Sequence, residues 1–145
     1  MNKSRVLFVC IHNSARSQMA EAYLRKLAGD RYEVESAGLE AGQLNPVAIQ
    51  VMEEEGIDMS AHYAKTTAEM LKQGKTYNFV ITVCDPKAAE SCPIFPGVTK
   101  RLHWSFPDPS AFKGTPEDKL NFTREVREQI REAVLKFISN PGGTF

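Results

Sequence analysis

Apolar residues fall into two rhythms along this chain. Val6-Leu7-Phe8-Val9, within residues 5–9, form a short and nearly continuous apolar run, the pattern of a strand buried on both faces of a parallel sheet. Residues 32–36 and 98–104 read as further strands, and residues 78–84, with Phe79, Val80, Ile81 and Val83, as the strongest. Elsewhere the spacing switches to the helical period. Met19, Ala20, Tyr23, Leu24 and Leu27 make one stripe of a helix over residues 15–28 that Gly29 closes. Asn45-Pro46 supplies the cap and first position of a second helix, with Val47, Val51 and Met52 facing inward and Gly56 at its end. Thr66 or Thr67 starts a short helix ending near Gly74. Thr115-Pro116 opens the last one, where Phe122, Val126, Ile130, Val134 and Phe137 keep helical spacing. This order predicts an α/β fold, a three-layer sandwich with a four-stranded parallel sheet flanked by helices. Such sheets bind ligands outside the carboxyl ends of their strands, where Cys10 and Cys84 fall.

Composition narrows the function. A chain of 145 residues suits one domain over residues 1–145 with one core. Lys plus Arg and Asp plus Glu are 18 each, so the formal net charge is zero. No global basic field exists to hold a nucleic acid, and any anion site must be local. The run at Val6 is too short for a signal peptide, and no stretch approaches the roughly 20 apolar residues that span a bilayer. We therefore expect a soluble, cytoplasmic monomer without a membrane partner. Cys10, Cys84 and Cys92 are the three cysteines. An odd number without a secretion signal argues against a disulfide framework, and their spacing matches no zinc pattern. Catalysis, redox exchange and inert burial remain.

The sharpest local signal is Cys10-Ile11-His12-Asn13-Ser14-Ala15-Arg16-Ser17, set between a predicted strand and a predicted helix. Successive backbone N–H groups from Ile11 to Arg16 in a tight turn form a concave nest, and the helix that follows adds its positive end. Arg16 contributes a planar set of donors that fits two oxygens of a tetrahedral oxyanion. The same field favours a thiolate at Cys10. Ser17 is placed to donate to that sulfur, and Asn13 to brace the loop. His12 is expected to contribute only its backbone N–H. The bland alternative is a buried strand-end cysteine with an unrelated surface arginine; the strand–loop–helix context argues against it.

This loop resembles the phosphate loop of low-molecular-weight protein tyrosine phosphatases and of thioredoxin-coupled arsenate reductases, which share one fold. The likeness extends to Glu33-Val34-Glu35-Ser36-Ala37-Gly38, to Cys84 and Cys92-Pro93, and to His103-Trp104-Ser105-Phe106-Pro107-Asp108-Pro109. It implies that Asp108 is the general acid. Asp85-Pro86 is the competing Asp-Pro pair, and we read it as the start of a short helix. The resemblance further implies arsenate as substrate and no bound cofactor. In the relay, Cys84 attacks the Cys10 sulfur, Cys92 then attacks Cys84, and external thioredoxin reduces the final disulfide; other arsenate reductases use glutaredoxin or mycothiol. Were residues 84–92 one helix, the two Cα atoms would stand about 12 Å apart, against roughly 4.4–6.8 Å in a disulfide. That segment is thus expected to be a mobile loop or a short helix that unwinds on oxidation. Some members bind potassium beside the cradle; Asn13, Glu21 and Ser36 match its ligands, but Lys65 stands where an acid belongs, and its ammonium is expected to pair with Glu21. The runner-up function is a low-molecular-weight phosphatase working through a Cys10 phosphoenzyme, and a third reading is a non-enzymatic anion-binding module.

Overall fold

The computed structural model describes residues 3–40, 42–97 and 99–141. Strands β1 (Ser4–Cys10), β2 (Tyr32–Gly38), β3 (Phe79–Thr82) and β4 (Lys100–His103) form one sheet in the order β2-β1-β3-β4. Every pairing is parallel. The alternation of β1 sorts its side chains cleanly. Val6, Phe8 and Cys10 face the larger core, which contains α1 (Arg16–Ala28), α2 (Pro46–Glu53) and α5 (Pro116–Ser139). Leu7 and Val9 face a smaller core with Met70 of α3 (Thr67–Lys72), Tyr77, Cys92 and Phe95. The expected three layers are therefore present, with both faces of the central strand covered.

Local signals set the helix ends. Asn45 caps α2 by accepting from the Val47 N–H at 2.8 Å, with Pro46 at the first position. Gly56 stops that helix at a φ of 73°, where a side chain would strain the backbone, and lets the Ile57 N–H return to the Met52 carbonyl at 3.1 Å. Thr66, of the two threonines considered, is the cap of α3. Thr115 and Asp118 close a reciprocal capping box on α5. Glu54 at the end of α2 accepts from Arg124 at 2.6 Å and from Arg127 at 2.9 Å, tying α2 to α5.

The structure shifts several boundaries. β2 runs on to Gly38, past the expected residue 36. Val98 lies outside the described residues, and β4 covers only Lys100–His103. Leu27 is 42% exposed; the inner stripe of α1 continues through Ala28 instead, four residues after Leu24. Most consequentially, β3 ends at Thr82 and does not reach Cys84.

Candidate active site

The cradle leaves the carboxyl end of β1. Its sharpest bend is at Asn13, whose φ of 54° makes it the one non-glycine with positive φ among the described residues. Asn13 suits that conformation because its amide is bonded on every side. Nδ2 donates to Ser17 Oγ at 2.8 Å, and Oδ1 accepts from Gln18 Nε2 and from the Lys65 N–H, each at 2.9 Å. Ser17 Oγ in turn stands 2.8 Å from Cys10 Sγ. Since Asn13 donates to the serine oxygen, the hydroxyl hydrogen is left for the sulfur. Gln18 is fully buried; its amide nitrogen also reaches the carbonyls of Asn13 and Tyr63, so its oxygen is the acceptor facing His62 Nδ1 at 2.8 Å. A continuous bonded chain thus runs from His62 through Gln18, Asn13 and Ser17 to Cys10.

The floor of the loop is Gly38. A Cβ there would stand 2.7 Å from the Asn13 nitrogen, so only glycine lets the loop rest on the end of β2. Leu39, Glu40 and Asn45 then close over it: the Leu39 and Glu40 N–H groups donate to the carbonyls of Cys10 and Ile11 at 3.0 and 2.9 Å, and the Asn45 N–H to Ser14 at 3.0 Å. His12 turns its ring toward Glu40, with Nε2 3.1 Å from the carboxylate.

Arg16 is 5% exposed. Its Nη1 donates to the Phe106 carbonyl at 3.2 Å, and its Nη2 lies 3.6 Å from Asp108 Oδ2. The loop after β4 thereby joins the cradle. Asp108 Oδ1 accepts from the Ser110 N–H at 2.9 Å and caps a single 3-10 turn, Pro109–Ala111. Ser110 Oγ receives Asn45 Nδ2 at 2.9 Å and faces Ser14 Oγ at 3.3 Å. Cys10, Arg16, Asp108 and Ser110, with His12, Ser14, Ala15, Gly42 and Gln43, enclose a cavity of about 150 Å³. Asn13 and Ser17 brace it from below, and half-buried Ile11 packs against the larger core. Trp104 packs against Phe8 and Phe137, at 5.7 and 5.8 Å between ring centres.

Cys84 is fully buried in the larger core, on the face that holds Cys10. Had β3 continued to residue 84, alternation would have sent this side chain to the other face, with Val80. Ending the strand at Thr82 turns it toward Cys10. Burial pushes its thiol up to about 11, against the opposing pull of Arg16 and with a further rise from Cys10. Asp85 caps the single-turn helix α4 (Pro86–Ala89), accepting from the Ala88 N–H at 2.9 Å, the short helix expected to start there. Cys92 is buried in the smaller core, across the sheet from Cys10 and Cys84. Burial raises its thiol also, with Arg101 opposing; the Arg101 guanidinium donates to the Cys92 carbonyl at 3.4 Å.

The expected pairing of Lys65 with Glu21 needs correction. Glu21 Oε2 is held by Arg25 at 2.9 Å and Oε1 by Ser36 Oγ at 2.6 Å. The Lys65 ammonium instead donates to the Tyr63 carbonyl at 3.0 Å and sits 4.6 Å from the centre of the Tyr63 ring. Its ionisation is lowered chiefly by burial, with Glu21 and Glu35 opposing. With both Glu21 oxygens taken, Asn13 Oδ1 filled by two N–H donors and Arg25 and Lys65 lining one pocket, these residues do not fit a potassium ion. Among the described residues no group of three or more His, Cys, Asp or Glu side chains is placed to hold a metal, and no helix is long and apolar enough to cross a membrane.

Two parts of the site escaped the sequence reading. Gln18, an ordinary polar residue inside a helix, carried no pattern that marks it as buried. The closure of Leu39, Glu40 and Asn45 over the loop was foreshadowed only by Gly42, where an added Cβ would stand 2.6 Å from the His12 carbonyl oxygen.

A buried cysteine at the end of the central parallel strand, a Cys-x5-Arg loop entering a helix, and a carboxylate facing the arginine define a phosphatase-loop protein. Residues 5–140 match the family described as low molecular weight phosphotyrosine protein phosphatase, and the chain belongs to that family. It is 42% identical over 139 residues to an arsenate reductase of Bacillus licheniformis, covering 94% of this chain and 96% of the relative. It is 40% identical over 139 residues to the arsenate reductase of Bacillus subtilis, with the same coverage. Among solved structures, an arsenate reductase in its oxidized state superposes with a TM-score of 0.73 at 30% identity, over 94% of this chain and 97% of the other. A thioredoxin-dependent arsenate reductase of Corynebacterium glutamicum gives 0.70 at 26% identity, over 96% of this chain and 61% of that one. A low molecular weight protein tyrosine phosphatase from T. tengcongensis gives 0.76 at 26% identity, over 94% and 99%.

Proposed function

We propose that this protein reduces arsenate to arsenite. The observation that carries the proposal is the pair Cys10 and Cys84, buried together on one face of the sheet at its carboxyl end. A phosphatase needs one thiol there; two thiols allow a two-electron reduction. The names borne by the relatives point the same way.

Arsenate enters the cradle against the loop N–H groups, with Arg16 spanning two of its oxygens. The Cys10 thiolate, held by Ser17, attacks arsenic, and one oxygen leaves as water with a proton from Asp108. The Cys84 thiolate then attacks the Cys10 sulfur. The sulfur–arsenic bond breaks with its electron pair on arsenic, arsenite departs, and a Cys10–Cys84 disulfide remains. Cys92 attacks Cys84, Cys10 leaves as a thiolate, and the Cys84–Cys92 disulfide is reduced by an external dithiol, thioredoxin in this reading. Cys92 starts across the sheet, so the last internal step requires residues 85–92 to leave their present fold.

Family and fold also accommodate a phosphatase. Against that stands the cavity of about 150 Å³, walled by Ser110, Gly42 and Gln43, which suits a free oxyanion better than an aryl ester. The deciding assay couples NADPH oxidation to thioredoxin and thioredoxin reductase, with arsenate or phosphate. Arsenate-dependent consumption that Cys84→Ser and Cys92→Ser each abolish is the expected result. Aryl phosphate hydrolysis without arsenate turnover, indifferent to both substitutions, would establish the phosphatase instead.

A further inference from the structure

We infer that Asn45 is a positioning residue for the general acid, tying the Asp108 turn to the cradle through Ser110. The inference rests on the reading of Asp108 as that acid.

Asn45 stands where three parts of the chain meet, and each of its polar groups has a partner. Its backbone N–H donates to the Ser14 carbonyl of the cradle at 3.0 Å. Its backbone carbonyl accepts from the Ile49 N–H at 3.2 Å, and its Oδ1 from the Val47 N–H at 2.8 Å, which closes the first turn of α2. Nδ2 is left, and it donates to Ser110 Oγ at 2.9 Å. A helix cap uses the side-chain oxygen alone, and serine caps about as well as asparagine. What asparagine adds at this position is a donor aimed at the acid turn.

Ser110 carries that tie to the acid. Its N–H donates to Asp108 Oδ1 at 2.9 Å. Oδ2, which faces Arg16 at 3.6 Å, is therefore the oxygen left to carry the proton. The segment is anchored at both ends. Before the turn, Arg16 holds the Phe106 carbonyl; after it, the Phe112 ring stacks on Phe122 of α5, with centres 4.3 Å apart and planes 8° from parallel. Between these anchors Pro109–Ala111 is a single 3-10 turn, and the reach of Asp108 depends on how that turn leans. Ser110 Oγ sets the lean. Its 3.3 Å contact with Ser14 Oγ is longer than a hydroxyl pair prefers, whereas 2.9 Å from Asn45 Nδ2 is the favoured length for an amide donor. The Asn45 bond is thus the stronger of the two. It also leaves the Ser110 hydrogen free to turn to Ser14, so that both serines line the cavity beside Asp108. One such bond, worth about 1 kcal/mol net, shifts the turn between a held and a displaced position by about fivefold.

The test is a single turnover: reduced full-length enzyme is mixed with excess arsenate and no thioredoxin, and arsenite is measured over time. Asn45→Ser keeps the cap and the backbone bonds but cannot reach Ser110. It is expected to lower the limiting rate about fivefold, with the half-saturating arsenate concentration unchanged. Ser110→Ala, which touches neither the α2 cap nor the cradle backbone, should match it. The double variant should lose no more than either single one. Ser110→Thr, which keeps the hydroxyl, should stay at the native rate. In an Asp108→Asn background, Asn45→Ser should cause no further loss, because the group it aims is gone. Native rates in both Asn45→Ser and Ser110→Ala, with Asp108→Asn impaired, overturn the positioning role and spare the acid. A loss from Asn45→Ser that persists undiminished in the Asp108→Asn background also overturns it, since Asn45 would then serve the cradle directly. If Asp108→Asn itself reacts at the native rate, the acid reading falls and this role with it.

Discussion

Asn13 is where conformation and bonding at the cradle can be separated by experiment. Its side chain makes three hydrogen bonds, to Ser17, Gln18 and the Lys65 N–H, and its backbone sits at φ 54°. Removing the amide forfeits about 1 kcal/mol per bond, or about 3 kcal/mol. In Asn13→Ala the left-handed conformation adds about 1–2 kcal/mol, for a total of about 4–5 kcal/mol. Asn13→Gly carries no such strain, but its freer unfolded chain costs about 0.5–1 kcal/mol, for a total of about 3.5–4 kcal/mol. Urea unfolding measures both, followed by the single tryptophan, Trp104, which packs between Phe8 and Phe137. Both variants are also expected to lose most arsenate turnover, because the Ser17 hydrogen loses the partner that aims it at Cys10. An alanine variant as stable as the glycine variant would show that the bend stores no strain. A glycine variant as stable as the native protein would show that the three bonds do not hold the loop.

Asp108→Asn should lose most turnover while Asp85→Asn keeps it apart from a small loss of stability at α4; the reverse ranking in the coupled assay would move the acid to Asp85. Arg124 first, then Arg127, hold the Glu54 carboxyl down at about 2 from an ordinary 4.5. Its contribution to stability is therefore full above about pH 4.5 and lost as pH falls through about 2, and Glu54→Gln should flatten the acid unfolding curve within that window. Amide exchange over residues 85–92 should be slow in reduced protein and fast after one round of arsenate reduction. Matching protection in the two states would mean that the segment does not rearrange.

Much of this molecule is legible without coordinates, for identifiable reasons. The Cys-x5-Arg loop, its flanking strand and helix, and the capped starts of α2 and α5 are local patterns, and each stands where the residues place it. What the residues could not supply was parity and partnership. The apolar run at residues 78–84 does not show that the strand breaks after Thr82, yet that break decides which face Cys84 takes. Leu27 fits a helical stripe as well as Ala28 does; the choice depends on how α1 rolls against α5. The resemblance sets Lys65 beside Glu21 and opposite charge suggests the pair, but Arg25, one turn along the same helix as Glu21, reaches it first at 2.9 Å. Gln18 is invisible by pattern because its burial is made by groups brought from residues 13, 62 and 63.

In the proposed relay, the sheet itself explains why the third cysteine must travel. Once the Cys10–arsenate adduct has formed, a resolving cysteine kept beside Cys10 and Cys84 would compete with Cys84 for the Cys10 sulfur. Storing Cys92 across the sheet, buried and with its thiol raised by that burial, keeps it out of the first exchange. Release is inexpensive by comparison. α4 is a single turn that buries none of its four residues, held by the Asp85 cap, worth about 1 kcal/mol. What remains is removal of one small thiol from its pocket, with loss of the Arg101 bond to its carbonyl, and the Cys84–Cys92 bond, once formed, prevents its return. The direction of the proposed relay follows from this asymmetry, with the oxidation passing from a pair that is fixed to a cysteine that is stored and then carried outward.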